Sequence, residues 1–436
     1  MKARNKNKNR VKPVLYVVLA VLIVLAAAAV RTTLKEDGSE AESAAVNETQ
    51  EAETEALPVP DEPAVESTAT IGVTGDILIH NPVLYAAENA DGTYDFSDMF
   101  SEISEYWQSP DYMIVNLEVT LGGDESGGYS GYPLFNCPDV IIDNLADAGV
   151  DMFLTANNHA YDSGEAGLLR TQEVISEAGL DYTGTRMDED DSFVLIKDIN
   201  GIIFGFVCYT YETTQNAGDT KTMNGITMSE TAQGLISSFS YADLNSFYEA
   251  AAEDLEEMDE AGCDVKIVFI HWGDEYDDEP NDYQLQIAQE LADLGTDVII
   301  GGHPHVVQAF DVLEGEDGNT TYCLYSMGNA ISNQRASLMS SDSYRGYTED
   351  GVTFEITYEK LNNGKVRLSE IYILPTWVDD DYTVVPLDYT LDVSDWGTAN
   401  TSSAVSSYNR TLGRLGSAYT YLRETLGLAA VPQALE

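Results

Sequence analysis

Basic residues are scarce in this chain of 436 residues. Its 21 Lys and Arg stand against 75 Asp and Glu, for a formal net charge of −54, and only 14 of the basic residues follow Arg31, together with all of the acidic ones. Such a chain does not bind nucleic acid or an anionic membrane surface through bulk electrostatics. We interpret the acidity as a solvated surface; the alternative is that it attracts cations or repels an anionic polymer.

Cysteine is also rare, with four residues in the chain: Cys137, Cys208, Cys263 and Cys323. Four cysteines leave three disulfide pairings open. Two of them lie inside strand-like apolar runs, where free cysteine behaves as a small buried hydrophobe. A domain of this length can build its own core, so we expect no essential disulfide framework.

Two common catalytic motifs are missing from the sequence. There is no Gly-rich phosphate loop ending in Lys and Ser or Thr, which argues against nucleotide-driven ligation within this chain. There is no Gly-x-Ser-x-Gly elbow either, so Ser-His-Asp nucleophilic catalysis has little support.

The N-terminal region has the pattern of a membrane signal. Residues 1–12 form a basic segment without acids, and residues 13–30 are apolar apart from Tyr16. A basic cytoplasmic segment before an apolar helix sends the following chain outward. We therefore predict a transmembrane signal anchor at 13–30, a single-pass location in the cell membrane and an extracellular C-terminal domain. Small residues at Ala26 to Ala29 resemble a cleavage site, so secretion after cleavage is the alternative.

The rest of the chain divides by composition into three parts. Residues 31–68 are rich in Glu, Ala, Ser, Pro and Thr and lack aromatic residues, which predicts a disordered acidic stalk. Residues 69–385 form the predicted domain. Residues 386–436 form a predicted C-terminal helical extension, in which Tyr408 to Leu428 have helical spacing although Gly413 and Gly416 weaken it.

Strand-like and helix-like segments alternate in the first part of the domain, and strands alone follow. The dipeptide Asn200-Gly201 predicts a tight hairpin turn between two strands. This order predicts an α/β fold with two stacked sheets and outer helices. The predicted strands are 70–74, 112–116, 151–155, 193–199, 201–209, 265–270, 297–300, 307–313, 321–326, 352–358 and 365–374, and the helices include 140–148, 165–178, 241–261 and 283–294.

Histidine is the scarcest chemically active residue, and its distribution is informative. Only five are present, and four of them follow strand-like runs in three short clusters. Carboxylates follow two further strands, and ligands in open α/β sheets lie beyond the carboxyl ends of strands. The combination suits Zn, Mn, Fe or Co, and the count is sufficient for two ions that share one carboxylate. Two such ions about 3.5–4 Å apart form a clamp for displacement at phosphorus. The candidate segments are Gly75-Asp76, Asn116-Leu117-Glu118, Asn157-Asn158-His159, His271-Trp272-Gly273 and Gly302-His303-Pro304-His305.

These segments, with Asp162, Gly164 and Tyr325 to Asn329, closely resemble the capsule synthesis protein family (CapA or PgsA) known for poly-gamma-glutamate synthesis. That family resembles the calcineurin-like metallophosphoesterases. The resemblance covers about Ala69 to Pro375 and implies an α/β fold of the four-layer α/β/β/α sandwich type.

The resemblance also implies roles for individual residues. Asp76 would be a terminal ligand of a first ion, and Glu118 would bridge it to a second. Asn158 would bind the second ion. His271 and His303 would bind the second ion, and His305 would bind the first. His159, next to Asn158 in the chain, would be the catalytic histidine that protonates a leaving group. The implied cofactors are one or two divalent ions, Mn, Zn, Fe or Mg.

One position departs from the metallophosphoesterase pattern. These enzymes usually have a histidine two residues after the first Asp, where this chain has Leu78; His80 lies one pleat farther along an extended strand. The sequence therefore leaves open whether the first ion binds firmly, and His80 is an additional candidate.

Other candidates have weaker support. Asp162 is interpreted as a helix N-cap, Trp272 as packing beside the site rather than stacking on a substrate, and the acidic run 274–279 as a solvated loop. Asn157 and Arg186 are further candidates, the latter for an anionic substrate, as is Arg335.

Three functions follow as hypotheses. The leading one is an extracytoplasmic, membrane-anchored protein that takes part in synthesis or export of an anionic capsule polymer such as poly-gamma-glutamate through a divalent-metal site. The second is a metal-dependent phosphoesterase or related hydrolase acting on cell-envelope substrates. The third is a non-catalytic, metal-bearing binding component of an export complex. The expected partners are an anionic polymer or phosphorylated envelope substrate, the membrane and other capsule synthesis membrane proteins, with no nucleic acid.

Overall fold

Two central sheets are built from strands whose side chains alternate between two apolar cores. The computed structural model describes residues 63–338, 347–427 and Leu435. The strands are β1 (Val65–Ile77), β2 (Tyr112–Leu117), β3 (Met152–Leu154), β4 (Asp181–Thr183), β5 (Leu195–Ile199), β6 (Ile202–Tyr211), β7 (Thr222–Met223), β8 (Ile226–Thr227), β9 (Ser238–Phe239), β10 (Val265–His271), β11 (Val298–Gly302), β12 (Phe310–Glu314), β13 (Thr320–Leu324), β14 (Asn329–Ile331), β15 (Asp350–Leu361), β16 (Val366–Val378) and β17 (Val384–Pro386).

Helices pack against both sheets. They are α1 (Asn81–Ala87), α2 (Ser97–Phe100), α3 (Ser104–Trp107), α4 (Val140–Ala148), α5 (Gly164–Glu177), α6 (Ala232–Leu235), α7 (Leu244–Glu260), α8 (Asp282–Asp293) and α9 (Thr401–Tyr421), with short 3₁₀ turns at Asp124–Ser126 and Val393–Asp395 and a π-helical turn at Leu422–Leu426.

The first sheet has the order β17-β16-β15-β1-β2-β3-β4, with β14 also paired to β1. Strands β1 to β4 run parallel, whereas β15, β16 and β17 add antiparallel pairs. The second sheet has the order β12-β13-β11-β10-β6-β5, with β9 paired to β6 and a parallel centre of β6, β10, β11 and β13. A hairpin of β7 and β8 lies outside both sheets. The carboxyl ends of β1, β2, β3, β10 and β11 carry all of the predicted metal ligands.

Side-chain alternation along single strands produces the layers. Ile114 of β2 and Phe269 of β10 lie in one core between the sheets, while Val115 and Ile270 lie in two outer cores. The outer core of the first sheet includes residues of α1 to α5, and that of the second includes residues of α7 and α8. Strands buried on both faces read as continuous apolar runs, which is why the central strands do so here. The predicted four-layer α/β/β/α arrangement is therefore confirmed.

Several element boundaries differ from the prediction. Strand β1 begins at Val65, inside the last residues of the predicted stalk and ahead of the predicted domain start at Ala69, because residues 65–69 pair with the long strand β15. The strand predicted at 307–313 begins only at Phe310. The C-terminal helix begins at Thr401 rather than Tyr408, and Gly416 interrupts it with φ 74°.

Other local predictions are confirmed. Helix α4 has the predicted bounds, and Asn200 and Gly201 turn between β5 and β6 with φ values of 56° and 85°, as a tight hairpin requires. All four cysteines are free. The predicted basic segment and signal anchor and most of the stalk lie outside the described residues. Within the described residues, no helix is long and apolar enough to cross a membrane.

Candidate metal centre

Glu118 lies at the centre of the site, directly after β2, with none of its surface exposed. It belongs to two groups of side chains whose potential ligand atoms lie within 4.8 Å of one another. The first ligand group consists of Asp76, Glu118 and His305, and the second of Glu118, His271 and His303. One carboxylate shared by two groups is the geometry of a two-ion site with a bridging ligand.

In the first ligand group, Asp76 and His305 meet across the two sheets. Nδ1 of His305 lies 3.1 Å from Oδ2 of Asp76, and its Nε2 lies 4.0 Å from Oε1 of Glu118. Asn116 donates a 2.7 Å hydrogen bond to Oδ1 of Asp76, which fixes the carboxylate from the neighbouring strand.

In the second ligand group, His271 ends β10 and His303 follows β11. Nε2 of His271 lies 3.5 Å from Oε1 of Glu118 and 2.7 Å from Oδ1 of Asn158. The amide oxygen of Asn158 therefore points toward the same space as the imidazole, which places a fourth oxygen or nitrogen ligand at this group.

The residues fit a divalent ion because several buried polar atoms have no hydrogen-bond partner among the described residues. Both carboxylate oxygens of Glu118 and Nδ1 of His303 are in this state. A buried carboxylate without a donor is costly, and such groups are normally paired or coordinate metals. Carboxylate and imidazole together suit Mn, Zn and Fe.

The pKa values of His271 and His303 favour the neutral imidazole that a metal requires. Burial lowers the pKa of His271 to about 3 and that of His303 well below its usual value, so both keep a free lone pair at neutral pH. Burial lowers the pKa of His305 as well, but the hydrogen-bonded Asp76 carboxylate outweighs burial and raises it above its ordinary value. Burial, then the neighbouring Asp76 carboxylate, raises the pKa of Glu118 well above its usual value. Burial raises the pKa of Asp76, but the His305 imidazole outweighs this effect and holds it below its ordinary range.

Backbone irregularities aim the ligands of the first group. The pairing of β1 with β2 shifts register between Thr74 and Asp76, which makes Gly75 a β-bulge residue. A Cβ on Gly75 would lie 1.8 Å from the carbonyl oxygen of Gly328. A Cβ on Gly302 would lie 3.0 Å from Oδ1 of Asp76. Glycine at both positions lets backbone approach the site.

The turn that carries two of the histidines is strained. His303 and His305 have φ values of 96° and 59°, in the left-handed region that side chains other than glycine rarely adopt. Each such residue costs about 1–3 kcal/mol and persists where the surroundings over-determine it, most often at functional sites.

His159 lies at the edge of the site with a carboxylate partner. Its Nδ1 is 2.6 Å from Oδ2 of Asp162, and Asn224 donates to Oδ1 of the same carboxylate at 3.0 Å. The interpretation of Asp162 as a helix cap was wrong, because Ser163 is the N-cap residue of α5 and Asp162 binds the imidazole instead. The pair orients the histidine and leaves its Nε2 for proton transfer.

His80 is not a member of either ligand group. It precedes α1, its Nδ1 lies 3.3 Å from the carbonyl oxygen of Leu78, and its ring packs edge-on against Phe135. The other edge-on partner of Phe135 is His159, at 4.7 Å between ring centroids. Leu78 itself is buried in the outer core of the first sheet.

Two further candidates, Asn157 and Trp272, shape the surroundings of the site. Asn157 donates to the carbonyl of Leu117 and accepts from the backbone of His159, so it shapes the loop after β3. Trp272 is fully buried and stacks on Tyr325, as its packing interpretation predicted.

The structure does not bring the candidate cations to the site. Arg186 donates to backbone carbonyls and lies over Phe193, in a cavity of about 650 Å³ that none of the ligands line. That Arg186 faces an anionic substrate stays a prediction. Arg335 likewise donates to the backbone carbonyls of Val378 and Asp379.

The sequence interpretation missed residues that support the ligands. Asn116 binds Asp76, Asn329 binds His305, and Tyr211 packs against both histidines of the second group. Tyr276 lies over His305 with 6.0 Å between ring centroids. Asn116 and Asn329 belong to the segments Asn116-Leu117-Glu118 and Tyr325 to Asn329, and their position at strand ends could have indicated a role at the site. Nothing in the sequence indicated Tyr211 or Tyr276.

Comparison with known proteins gives two related sequences from Bacillus. "Capsule biosynthesis protein CapA" of Bacillus anthracis is 26% identical over 306 residues, which cover 69% of this chain and 66% of that protein. "PGA biosynthesis protein CapA" of Bacillus subtilis (strain 168) is 29% identical over 225 residues, which cover 51% of this chain and 50% of that protein. The chain thus matches between half and two thirds of the length of these relatives.

Among solved structures, the NAD nucleotidase of Haemophilus influenzae aligns with 79% of this chain and 63% of its own, at 11% identity and a TM-score of 0.39. The family model described as "Bacterial capsule synthesis protein PGA_cap" matches residues 70–334. That range takes in both ligand groups, Asn158, His159 and Asn329. The chain belongs to the bacterial capsule synthesis protein family PGA_cap.

Proposed function

We propose that this chain takes part in the synthesis or export of an anionic capsule polymer such as poly-gamma-glutamate through a divalent-metal centre that catalyses hydrolysis or transfer. The single observation that carries the proposal is Glu118, a fully buried carboxylate without a hydrogen-bond partner among the described residues, shared by two ligand groups. The family membership and the names of the Bacillus relatives support the polymer as the class of substrate.

The protein's own residues supply binding, orientation and a proton. Bound divalent ions would polarise the reacting bond and lower the pKa of a bound water. Asp76, Glu118 and His305 would hold one ion, and Glu118, His271, His303 and Asn158 the other. His159, held at Nδ1 by Asp162, presents Nε2 to a leaving group as a general acid.

We also propose that residues 13–30 anchor the chain in the membrane, with the domain outside the cell. The expected partners are then the polymer and other capsule synthesis proteins of the membrane. An alternative function is a phosphoesterase of the cell envelope, and the observation that favours it is the His159–Asp162 pair beside the two ligand groups.

The test combines metal content, turnover and polymer yield. The full-length chain, loaded with Mn²⁺ or Zn²⁺ and then desalted, should retain two ions per chain by elemental analysis. Glu118→Gln should lower the metal content and abolish polymer formation in cells, whereas Glu279→Gln, which removes an exposed carboxylate of the loop after β10, should change neither.

Different outcomes separate the candidates. Less than one tightly bound ion in the loaded wild type would refute the two-ion centre. Turnover of a generic phosphodiester that is lost in His159→Ala, with unchanged polymer yield, would favour the envelope phosphoesterase. Normal polymer yield in a variant with both Glu118→Gln and His159→Ala, together with no phosphodiester turnover by the wild type, would contradict catalysis and favour a binding role.

A further inference from the structure

We propose that Arg410, on the C-terminal helix α9, is a positioning residue for the first ligand group. The residue lies outside the region matched by the family model, which ends at residue 334. It acts on His305 through Asp350, the backbone carbonyl of Thr348 and the side chain of Asn329. The inference rests on the proposed metal centre and adds to it an element that the family match does not contain.

The first step is an ion pair that fastens α9 to the start of β15. Asp350 has none of its surface exposed. Its Oδ1 accepts from Nη2 of Arg410 at 2.7 Å and from Ser407 at 2.6 Å, and its Oδ2 accepts from Nε of Arg410 at 2.9 Å. Two parallel hydrogen bonds from one guanidinium fix a carboxylate in direction as well as in distance.

The second step places the backbone beside Asp350 against the site. Residues Gly328 and Gly351 pair as an antiparallel bridge, and the carbonyl of Gly328 accepts from the backbone N–H of Asp76 at 3.1 Å. The carbonyl of Thr348, two residues before Asp350, accepts from Nδ2 of Asn329 at 2.9 Å.

The third step fixes the imidazole of His305. Because Nδ2 of Asn329 faces the carbonyl of Thr348, its Oδ1 faces Nδ1 of His305, at 3.1 Å. The second neighbour of Nδ1 is Oδ2 of Asp76, also an acceptor. Two acceptors beside Nδ1 hold an N–H there and fix the ring, so that Nε2, which lies 4.0 Å from Oε1 of Glu118, is the nitrogen turned toward the ligand group.

The second ligand group is held by other side chains, and it meets the first group through Asn116, which contacts both Asp76 and His271. His271 is held by Asn158 and Asn116, and His303 packs against Tyr211. The chain of contacts from Arg410 on α9 therefore ends at His305, in the first ligand group. Partners that orient a metal ligand typically change affinity by about 10–100-fold, and Arg410 acts through three intermediates, Asp350, Thr348 and Asn329, so we expect a loss near the lower value.

The experiment is a calorimetric titration of the metal-free, full-length chain with Mn²⁺. The wild type should show two binding steps, which Asp76→Asn and His303→Ala assign to the first and second ligand groups. Arg410→Gln should weaken the first-group step about 10-fold and leave the other unchanged, with partial rescue by Arg410→Lys. The matched control is Arg367→Gln, because Arg367 also pairs with a carboxylate of β15 but is 60% exposed at the far end of that strand.

Each outcome is decisive. Two unchanged steps in Arg410→Gln, or two steps weakened in parallel with a lowered melting temperature in chelator, would overturn the inference and leave the metal centre standing. Absence of Mn²⁺ binding in the wild type would overturn both. If Arg410→Gln does not fold, Ser407→Ala removes a hydrogen bond to the same carboxylate and should weaken the first-group step to a smaller degree. Equal effects of Ser407→Ala on both binding steps would refute the inference.

Discussion

Replacing Glu118 by Gln should stabilise the metal-free protein and destabilise the metal-loaded one. Burial, together with the carboxylate of Asp76, raises the pKa of Glu118 in the folded chain well above its usual value of 4.5. A group whose pKa is raised on folding contributes full stability below its unfolded-state pKa, and that stability is lost as the pH rises through the folded-state pKa. In chelator, Glu118 should therefore destabilise the folded wild-type chain at pH 8 and not at pH 4.

The size of the effect follows from the environment of the carboxylate. A buried polar group without a partner costs about 1–3 kcal/mol, and a charged one costs more. Gln keeps the polar group but removes the charge, so Glu118→Gln should raise the free energy of unfolding by about 2 kcal/mol in chelator at pH 8. An entropy of unfolding of about 2 cal/mol/K per residue converts this to a melting temperature about 3 °C higher for a domain of roughly 350 residues. At pH 4 the two proteins should melt together.

Added metal should reverse the order of the two melting temperatures, so that the wild type melts above Glu118→Gln. A ligand at about 100 times its dissociation constant stabilises the folded state by about 2.7 kcal/mol per site, and Glu118 belongs to both ligand groups. The assay is differential scanning calorimetry of both proteins in chelator and in excess Mn²⁺. A variant that melts below the wild type in chelator at pH 8 would refute the reasoning, because Glu118 would then be stabilised by the protein alone.

Three further predictions concern positions around the sheets. Burial and a carboxylate across the strand pair raise the pKa of Glu355 to about 7, so the domain loses stability as the pH rises from about 4.5 to 7; Glu355→Gln should recover about 1–3 kcal/mol in urea unfolding at pH 8 and none at pH 4, and equal effects at both would contradict this. Gly75→Ala should cost about 2–3 kcal/mol in the same assay and reduce Mn²⁺ binding, because its Cβ would overlap a carbonyl oxygen, whereas Gly413→Ala in open space should not destabilise. Asp162→Asn should keep the metal content but lower phosphodiester turnover about 100-fold, since it removes the acceptor that orients His159; wild-type turnover would disprove that role.

The layer order and the ligand-bearing strand ends could be predicted because both rest on local patterns. Central strands such as β10 and β11 are apolar runs that end in a histidine or glycine-histidine segment, and parallel strands bring such ends to one edge. Helix α4 was predicted to the residue because apolar positions recur with helical spacing and Gly149 follows it with φ 117°.

The contacts that orient the ligands could not be predicted because they depend on tertiary register. Asp162 follows a pattern typical of helix caps, yet it binds His159, and only the packing of the loop after β3 decides between the two. The start of β1 was placed late because residues 66–68 are polar. They become a strand only by pairing with β15, which lies almost 300 residues away in the chain.

The missing histidine at position 78 bears on how the two ions would differ. The side chain of Leu78 lies in the outer apolar core, so the first ligand group has Asp76, Glu118 and His305 without a ligand from that position. The second group has three ligands and the amide oxygen of Asn158 close by. Fewer ligands make an ion's affinity more dependent on how well the remaining ones are oriented. The bulge at Gly75, the positive φ of His305 and the hydrogen bond that His305 donates to Asn329 all orient ligands of the first group, where the missing histidine makes orientation most important.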